Sequence, residues 1–332
     1  MHPLLKKINL FYTACRGYST PISVVSWFVP FIYALLDRGS LIYGLIALIG
    51  IIILHLGTNI FDDAVDYTWE KHKIDKGLKT EFNFQKGKCI CILQNLITIK
   101  QAYLISFTLF IISALTGLLF LQIRGIELLY VIIPSGIICV LYPVLGCLGM
   151  GEILVSIIFS PLIYSGVYFI MTGHFSLDIL ILSISTGLLA VAVLHNHMLL
   201  DYKYDTTNRK ITLCRLCKTE NNALILLGII VSLAYINLII WVSVGRLSYI
   251  YLLPLITIPN AVMLIKAMKI HIENPSEEIK QSILTVSMPA LKKIPKEQRN
   301  FLLKFLLAQN LLTCFTIILC ISIVINHFII NN

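Results

Sequence analysis

The chain alternates between long apolar segments and polar connections. Nine segments are mainly apolar over about 20 residues, the length that an α-helix needs to cross the hydrocarbon of a bilayer. A helix is favoured there because it satisfies its own backbone hydrogen bonds, which lipid cannot do. The pattern predicts an all-α, polytopic membrane protein with nine transmembrane helices, at residues 20–36, 41–61, 103–122, 127–146, 152–171, 178–200, 222–245, 248–268 and 305–329.

Composition and the placement of charge favour the same class of protein. The 332 residues are 58% hydrophobic and have a mean hydropathy of +0.86. If the N-terminus is cytoplasmic, all of the 26 Lys and Arg residues except Arg38, Arg124 and Arg246 fall on the cytoplasmic side, as the positive-inside rule requires. We therefore expect one integral membrane domain, residues 1–332, in a bacterial inner membrane with a cytoplasmic N-terminus.

The net charge of +9 follows from this topology and from attraction to anionic lipid headgroups. Nucleic acid is not expected as a partner, because the chain has no soluble basic domain. The basic N-terminus is not followed by a cleavage-site pattern, so no removed signal peptide is expected. The cytoplasmic cysteines are expected to be reduced, and a four-thiolate zinc site remains a minor alternative for Cys89, Cys91, Cys214 and Cys217.

Acidic residues are concentrated at the ends of two apolar segments. In the first cluster, Asp62, Asp66 and Glu70 are spaced four residues apart, with Asp63 beside them; in the second, Asp201 and Asp205 have the same spacing. Residues four apart share one face of a helix, so each set forms a row of carboxylate oxygens. Like charges repel in such a row, and bound Mg²⁺, which prefers carboxylates and substrate phosphates, would compensate them. The sequence predicts a cytoplasmic-side active site in which the two rows face each other across a diphosphate.

Polar and basic residues near these clusters extend the predicted site. His55 and Asn59 lie within the second span, where polar side chains are usually functional, although a solvated helix end is the simpler alternative. Tyrosines 67 and 142 are either substrate contacts or ordinary interfacial residues. The residues expected to contact diphosphate or acceptor are Asn59, Tyr67, Lys76, Lys79, Tyr142, His197, Arg209 and Lys210.

The two acidic motifs resemble those of the UbiA superfamily of membrane prenyltransferases. The first family motif, Asn/Asp-Asp-x-x-Asp-x-x-x-Asp, is matched by Asp62, Asp63, Asp66 and Glu70, with Asp62 in place of the usual Asn and Glu70 in place of Asp. The second motif, two Asp residues four apart, is matched by Asp201 and Asp205. The resemblance implies that all six bind Mg²⁺, and that Asp63, Asp66, Asp201 and Asp205 are catalytic.

Further residues are similar to the branch that prenylates 1,4-dihydroxy-2-naphthoate in menaquinone biosynthesis. Residues 142–173 carry its Tyr-Pro, Gly-x-Gly-Glu and Thr-Gly landmarks. Residues 209–213 read Arg-Lys-Ile-Thr-Leu where that branch commonly has Gly-Lys-Arg-Thr-Leu, so a family Arg is replaced by Ile211. Arg16 matches a family Ala-Arg-Pro sequence only faintly, because Gly17 replaces the Pro.

The resemblance implies transfer of a polyprenyl group from an allylic diphosphate to an aromatic acceptor. With 1,4-dihydroxy-2-naphthoate, the products would be demethylmenaquinone, diphosphate and CO₂. Other acceptors used within the superfamily stay open: 4-hydroxybenzoate, homogentisate, haem or a sugar phosphate. A cation transporter is the alternative from another class, since carboxylates inside helical bundles also line ion paths. Its acidic groups would lie near the bilayer midplane, whereas both clusters here lie at the ends of their spans.

Overall fold

The computed structural model describes residues 3–75, 88–207, 211–277, 279 and 296–330. This part of the chain contains no β-strand, only an isolated parallel bridge between Leu148 and Ile211. Its nine helical segments that are long and apolar enough to span a membrane confirm the predicted fold class. The α-helices are α1 Pro3–Ala14, α2 Pro21–Leu36, α3 Leu41–Asp75, α4 Ile90–Leu93, α5 Ile99–Arg124, α6 Leu129–Gly146, α7 Gly151–Ile157, α8 Ile163–Thr172, α9 Leu177–Leu200, α10 Tyr202–Thr207, α11 Leu213–Leu216, α12 Glu220–Ser243, α13 Ile258–Glu273 and α14 Lys296–Ile330.

Two compact units make up the chain. The first unit contains Met1–Val24 and Leu41–Leu145, and the second contains Val25–Ser40 and Gly146–Asn332. The prediction of a single domain stays a prediction.

In the first unit, α3 packs closely against α5. A Cβ atom added to Gly57 would lie 3.1 Å from Leu109 Cβ, so glycine permits the approach of the two helices. Ser106 Oγ donates to the carbonyl of Gly57 at 3.2 Å, and Ser113 Oγ donates to that of Gly50 at 3.2 Å. Small residues and hydroxyl groups are the usual means of joining helices in lipid, where apolar contacts alone bring little advantage.

Helix α3 extends beyond the predicted span end at residue 61. It is a single 35-residue helix, about 50 Å long at the standard rise per residue. The first acidic cluster therefore lies within a continuous helix, and the i, i+4 register of Asp62, Asp66 and Glu70 is retained.

The second unit is built around α9, whose most apolar stretch is 67% buried. A Cβ on Gly187 would overlap Ser160, so glycine is required where α9 crosses the helix formed by α7 and α8. Between α7 and α8, a π-turn at Ile158–Leu162 contains Pro161; proline lacks the N–H that a regular helix needs. Ser160 Oγ donates to the carbonyl of Ser183 at 2.7 Å.

Large apolar side chains cover much of the outer surface. On α5, for example, Leu104, Ile111 and Leu115 are exposed. So much exposed apolar area is unfavourable in water, but it matches the hydrocarbon of a bilayer. The chain is an integral, multi-pass membrane protein.

Candidate active site

The first acidic cluster is buried although it is highly charged. Asp62 is 5% exposed and Asp63 is 4% exposed, while Asp66 and Glu70 are half-buried. Burying an ionised carboxylate costs a large free energy unless opposite charges or hydrogen bonds compensate it. The neighbours of these carboxylates therefore decide whether the cluster is stable.

Arg16 supplies one compensating charge. It stands between α1 and a 3₁₀ turn at Gly17–Ser19, in a left-handed backbone conformation with φ of 49°. Its guanidinium donates to Asp62 Oδ2 at 2.9 Å and to the carbonyl of Asn59 at 3.1 Å, and its Nε lies 3.5 Å from Asp63 Oδ1. Burial opposes the charge of Arg16, but Asp63 and Asp62 more than offset it and raise the pKa above its ordinary value. Arg16 therefore stays charged inside the cluster.

Lys88 supplies the second charge, although it is far from the cluster in sequence. Its ammonium nitrogen lies 3.0 Å from Asp62 Oδ2 and contacts Asp66 Oδ2. The next residue, Cys89, donates its backbone N–H to Asp63 Oδ2 at 2.8 Å and its thiol to the Asp63 carbonyl. Burial lowers the pKa of Lys88, but Asp62 and Asp66 outweigh this and raise it well above its ordinary value. Lys88 and Cys89 thus bring a cation and a backbone hydrogen-bond donor to the carboxylates of α3.

The cluster brings several carboxylate oxygens together at one place. Two cations, Arg16 and Lys88, stand against the three carboxylates of Asp62, Asp63 and Asp66. Among the described residues, no donor makes a hydrogen bond to the buried Asp63 Oδ1. Such a set of hard oxygen atoms can accept a further cation.

Hydrogen bonds within the protein account for the two polar residues inside the span. Each ring nitrogen of His55 pairs with a serine hydroxyl, Nδ1 with Ser23 at 2.6 Å and Nε2 with Ser19 at 3.1 Å. The Asn59 amide donates to the Cys15 carbonyl at 3.1 Å and to Ser19 Oγ at 2.9 Å. These bonds hold the turn that carries Arg16 against α3. The role of Asn59 in substrate binding stays a prediction.

The second acidic cluster stands at a break between two helices. α9 ends at Leu200, Asp201 adopts φ of −100° and ψ of 4°, and α10 follows. The Asp205 N–H still donates to the Asp201 carbonyl at 2.9 Å, so the four-residue spacing is retained across the break. Asp201 is 7% exposed and Asp205 is 1% exposed. His197 Nε2 lies 3.3 Å from Asp201 Oδ2, the pairing that their spacing predicts.

The structure places only some of the other residues that were predicted to contact substrate. Tyr142 is half-buried and interacts electrostatically with Arg16, and Tyr67 packs against the apolar core beside α3. The facing arrangement of the two carboxylate rows stays a prediction. The four basic residues that were predicted to contact phosphate lie outside the described residues: Lys76, Lys79, Arg209 and Lys210.

Sequence reasoning missed Lys88 and gave Arg16 little weight. The signal for Arg16 was the faint family match alone. No periodic pattern identifies Lys88, because it reaches the cluster only through the return of the chain after α3.

Solved structures with similar folds include two that are described as UbiA homologues. A UbiA homologue from Archaeoglobus fulgidus, solved with GPP and Mg²⁺, is 15% identical with a TM-score of 0.55, covering 97% of this chain and 100% of the homologue. A UbiA homologue from Aeropyrum pernix K1, in its apo form, is 14% identical with a TM-score of 0.54. The similarity covers 92% of this chain and 98% of the homologue. A structure described as digeranylgeranylglyceryl phosphate synthase is 16% identical with a TM-score of 0.56. The similarity covers 95% of this chain and 99% of the synthase chain. At these identities the likeness shows the fold.

A search of curated protein sequences finds no significant match. The model of the UbiA prenyltransferase family, however, matches residues 22–288, which is most of the chain and includes both acidic clusters. This match favours an enzyme over the alternative of a cation transporter. The chain therefore belongs to the UbiA prenyltransferase family.

Proposed function

We propose that this enzyme transfers a polyprenyl group from an allylic diphosphate to 1,4-dihydroxy-2-naphthoate in a reaction that depends on Mg²⁺. The observation that carries the proposal is the first acidic cluster, in which the buried carboxylates of Asp62 and Asp63 and the half-buried carboxylate of Asp66 lie together with the cations Arg16 and Lys88. Gathering ionised groups in a buried place is costly, and such groups are concentrated at functional sites. Carboxylate oxygens beside fixed cations suit a cluster that binds a metal ion together with a diphosphate.

The donor set fits Mg²⁺. All the candidate ligands are carboxylates, which this hard ion prefers together with water and substrate phosphates. Lys88 already places a cation between Asp62 and Asp66, and Asp63 Oδ1 has lone pairs to offer. When bound, Mg²⁺ would draw negative charge from the diphosphate leaving group. We propose that the ligands are Asp62, Asp63, Asp66 and Glu70 in the first cluster and Asp201 and Asp205 in the second.

The chain's own cations have a second role in this proposal. Arg16 and Lys88 remain charged and donate hydrogen bonds that can be shared with phosphate oxygens, and such charge-assisted bonds are the strong ones. As the allylic C–O bond breaks, its electron pair leaves with diphosphate, and fixed positive charge nearby stabilises that transition state. We assign the same role to Lys76, Lys79, Arg209 and Lys210.

Attack by the aromatic acceptor completes the reaction. A ring carbon of the acceptor forms the new bond to the allylic carbon, and the carboxyl group on that ring carbon leaves as CO₂. We propose that Asp63 or Asp66 accepts a hydroxyl proton of the acceptor as a general base during the attack and returns it as CO₂ leaves, so that the product forms in its quinol state without an oxidant. Asp66 is the more accessible of the two, since its side chain is 20% exposed and that of Asp63 is 6% exposed. Asn59, Tyr67, Tyr142 and His197 are proposed to contact diphosphate or acceptor.

The choice of acceptor rests on residues 142–173, which carry the landmarks of the naphthoate branch. The experiment is product analysis by mass spectrometry, with purified enzyme, Mg²⁺ and geranylgeranyl or longer diphosphates. Parallel reactions contain 1,4-dihydroxy-2-naphthoate, 4-hydroxybenzoate, homogentisate, haem, a sugar phosphate or a glyceryl phosphate. We expect a prenylated product that has lost CO₂ from the naphthoate reaction alone. A product from another acceptor, with none from naphthoate, would contradict the assignment.

The location of the site is also part of the proposal. We infer that both acidic clusters lie at the cytoplasmic boundary of a bacterial inner membrane, because the connections that follow them are rich in Lys and Arg. Reporter fusions at the N-terminus and at the connections after α2 and α5 would test this topology. The N-terminus is expected inside and both connections outside.

A further inference from the structure

A second group of metal-binding side chains lies in the second unit. Glu152 in α7, His195 in α9 and Cys214 in α11 are all buried, and one ligand atom from each lies within 4.8 Å of the others. His195 Nδ1 is 3.6 Å from Glu152 Oε1, and Cys214 Sγ is 3.5 Å from either ring nitrogen of His195. Three helices that are remote in sequence thus bring an oxygen, a nitrogen and a sulfur to one point.

The hydrogen bond of His195 leaves one ring nitrogen available. Its Nε2 lies 3.0 Å from the carbonyl of Ala223 in α12, and a carbonyl can only accept, so Nε2 carries the proton. In the neutral ring, Nδ1 then has a lone pair, and this lone pair shares its surroundings with the Glu152 carboxylate. A histidine that donates one nitrogen to a backbone carbonyl and offers the other inward has the usual arrangement of a metal ligand.

Glu152 is an independent indication of a bound cation. It is 3% exposed, and no described residue donates a hydrogen bond to its Oε1. A buried carboxylate oxygen that faces an imidazole lone pair is unfavourable unless a positive charge stands between them. No lysine or arginine has a salt bridge with Glu152 among the described residues.

A second thiol stands close to Cys214 in sequence but lies outside the group of three. Cys214 and Cys217 have the C-x-x-C spacing that is typical of zinc sites. The Cys217 thiol is half-buried and donates to the Leu213 carbonyl at 3.3 Å.

We propose that Glu152, His195 and Cys214 bind a zinc ion. These three side chains leave one position of a four-coordinate ion for water. Zinc accepts mixed sulfur, nitrogen and carboxylate ligands in a tetrahedral arrangement. With bond lengths of about 2.0 Å to nitrogen and about 2.3 Å to sulfur, a tetrahedral ion places these two atoms about 3.5 Å apart, which matches the distance between His195 Nδ1 and Cys214 Sγ.

The proposed ion has a structural role. It joins α7, α9 and α11, which are remote from one another in sequence. The β-bridge between Leu148, which precedes α7, and Ile211, which precedes α11, joins the same two regions of the chain. Binding of the metal is coupled to folding because its ligands come together only in the folded chain.

The first test measures metal in the full-length enzyme, purified in detergent with any affinity tag removed. We expect one zinc per chain by mass spectrometry of the metal content. After the metal is removed by a chelator, added Co²⁺ should produce a thiolate-to-cobalt charge-transfer band, and added Zn²⁺ should abolish it. A wild-type chain that contains no zinc and binds neither metal would overturn the proposal, and would mean that a proton compensates Glu152 instead.

Variants identify the ligands. Cys214→Ser and His195→Gln are expected to lose zinc, and Cys214→Ser should also lose the cobalt band, because the single thiolate ligand is gone. Cys217→Ser should keep both, since Cys217 lies outside the group of three. Cys320→Ser is the matched control, since Cys320 is also a buried thiol of the second unit but lies outside the cluster, and it should keep its zinc. A folded Cys214→Ser variant with the full zinc content would refute the assignment.

The metal measurement is independent of prenyl transfer, since it needs neither substrate nor Mg²⁺. If the zinc is absent but Mg²⁺-dependent transfer is observed, only this inference fails. If zinc is bound but no prenyl product forms, only the proposed function fails.

Discussion

The two acidic clusters have the same spacing in sequence but different surroundings. The first lies within an unbroken helix and is compensated by Arg16 and Lys88, which are distant in sequence. The second lies at the break between α9 and α10, and its described ion-pair contact is with His197 on its own helix. Identical spacing therefore does not imply an identical electrostatic environment. We therefore expect substitutions in the two clusters to lower the free energy of unfolding by different amounts. We expect substitutions in either cluster to lower the rate of prenyl transfer.

The largest expected effect is the loss of activity when either cluster loses a carboxylate. Asp66→Ala and Asp201→Ala should each lower kcat/KM for prenyl transfer by about 10²–10³-fold or more, the scale for loss of a group that stabilises developing charge. Radiolabelled prenyl transfer by purified variants measures this. Glu127→Ala and Glu273→Ala are controls, because both residues are exposed acidic groups that belong to neither cluster. An unchanged rate in either Asp variant would remove that cluster from the proposed site.

The second-largest expected effect is a difference between the clusters in how much a substitution lowers the free energy of unfolding. Asp62→Asn breaks contacts with both Arg16 and Lys88, and we expect a loss of about 2–3 kcal/mol in unfolding free energy, somewhat less than for a fully buried pair. His197→Gln removes one contact of a half-buried side chain and should cost about 0.5–1 kcal/mol. Unfolding in detergent, followed by circular dichroism, measures both. Equal losses would show that the two environments do not differ as described.

The contribution of Lys88 to substrate binding should be smaller. Lys88→Met is expected to raise KM for the prenyl diphosphate about tenfold, because one charge-assisted hydrogen bond is worth about 1.5–3 kcal/mol. Lys88→Arg should restore part of the loss. Lys100→Met serves as the control, since Lys100 is an exposed lysine at the start of α5. If KM does not change, Lys88 compensates the carboxylates without reaching the diphosphate.

The smallest expected effect concerns Asn59 and distinguishes a structural role of this residue from a role in substrate binding. Asn59→Ala and Ser19→Ala both remove bonds that hold the Arg16 turn, and each should cost about 1 kcal/mol of stability. If Asn59 also binds substrate, its variant should lose clearly more activity than the Ser19 variant at equal stability. Equal activities would assign Asn59 to the scaffold alone. Steady-state kinetics beside unfolding curves decide between these outcomes.

Local features of this molecule could be predicted from the sequence because they depend on short-range geometry. The nine spans follow from runs of apolar residues, and all nine have counterparts among the helices of the described chain. The shared face of Asp62, Asp66 and Glu70 follows from helical periodicity alone. The break at Asp201 was not predicted, since residues 196–205 have no proline or glycine to mark a helix end.

Contacts between distant residues could not be predicted in the same way. The Arg16–Asp62 bond joins positions 46 apart, and the Cys89–Asp63 bond joins positions 26 apart. No periodic pattern carries that information, because it depends on where the chain returns after leaving a helix. The meeting of Glu152, His195 and Cys214 is of the same kind.

By itself, the sequence determined the membrane class, the nine spans, the two rows of carboxylates and the resemblance to a prenyltransferase family. The tertiary structure alone decided which charges contact those carboxylates and which buried Glu, His and Cys side chains come together in the second unit. The physical reason is that apolar runs and helical spacing act within a few residues, whereas compensation of buried charge depends on groups brought together by packing.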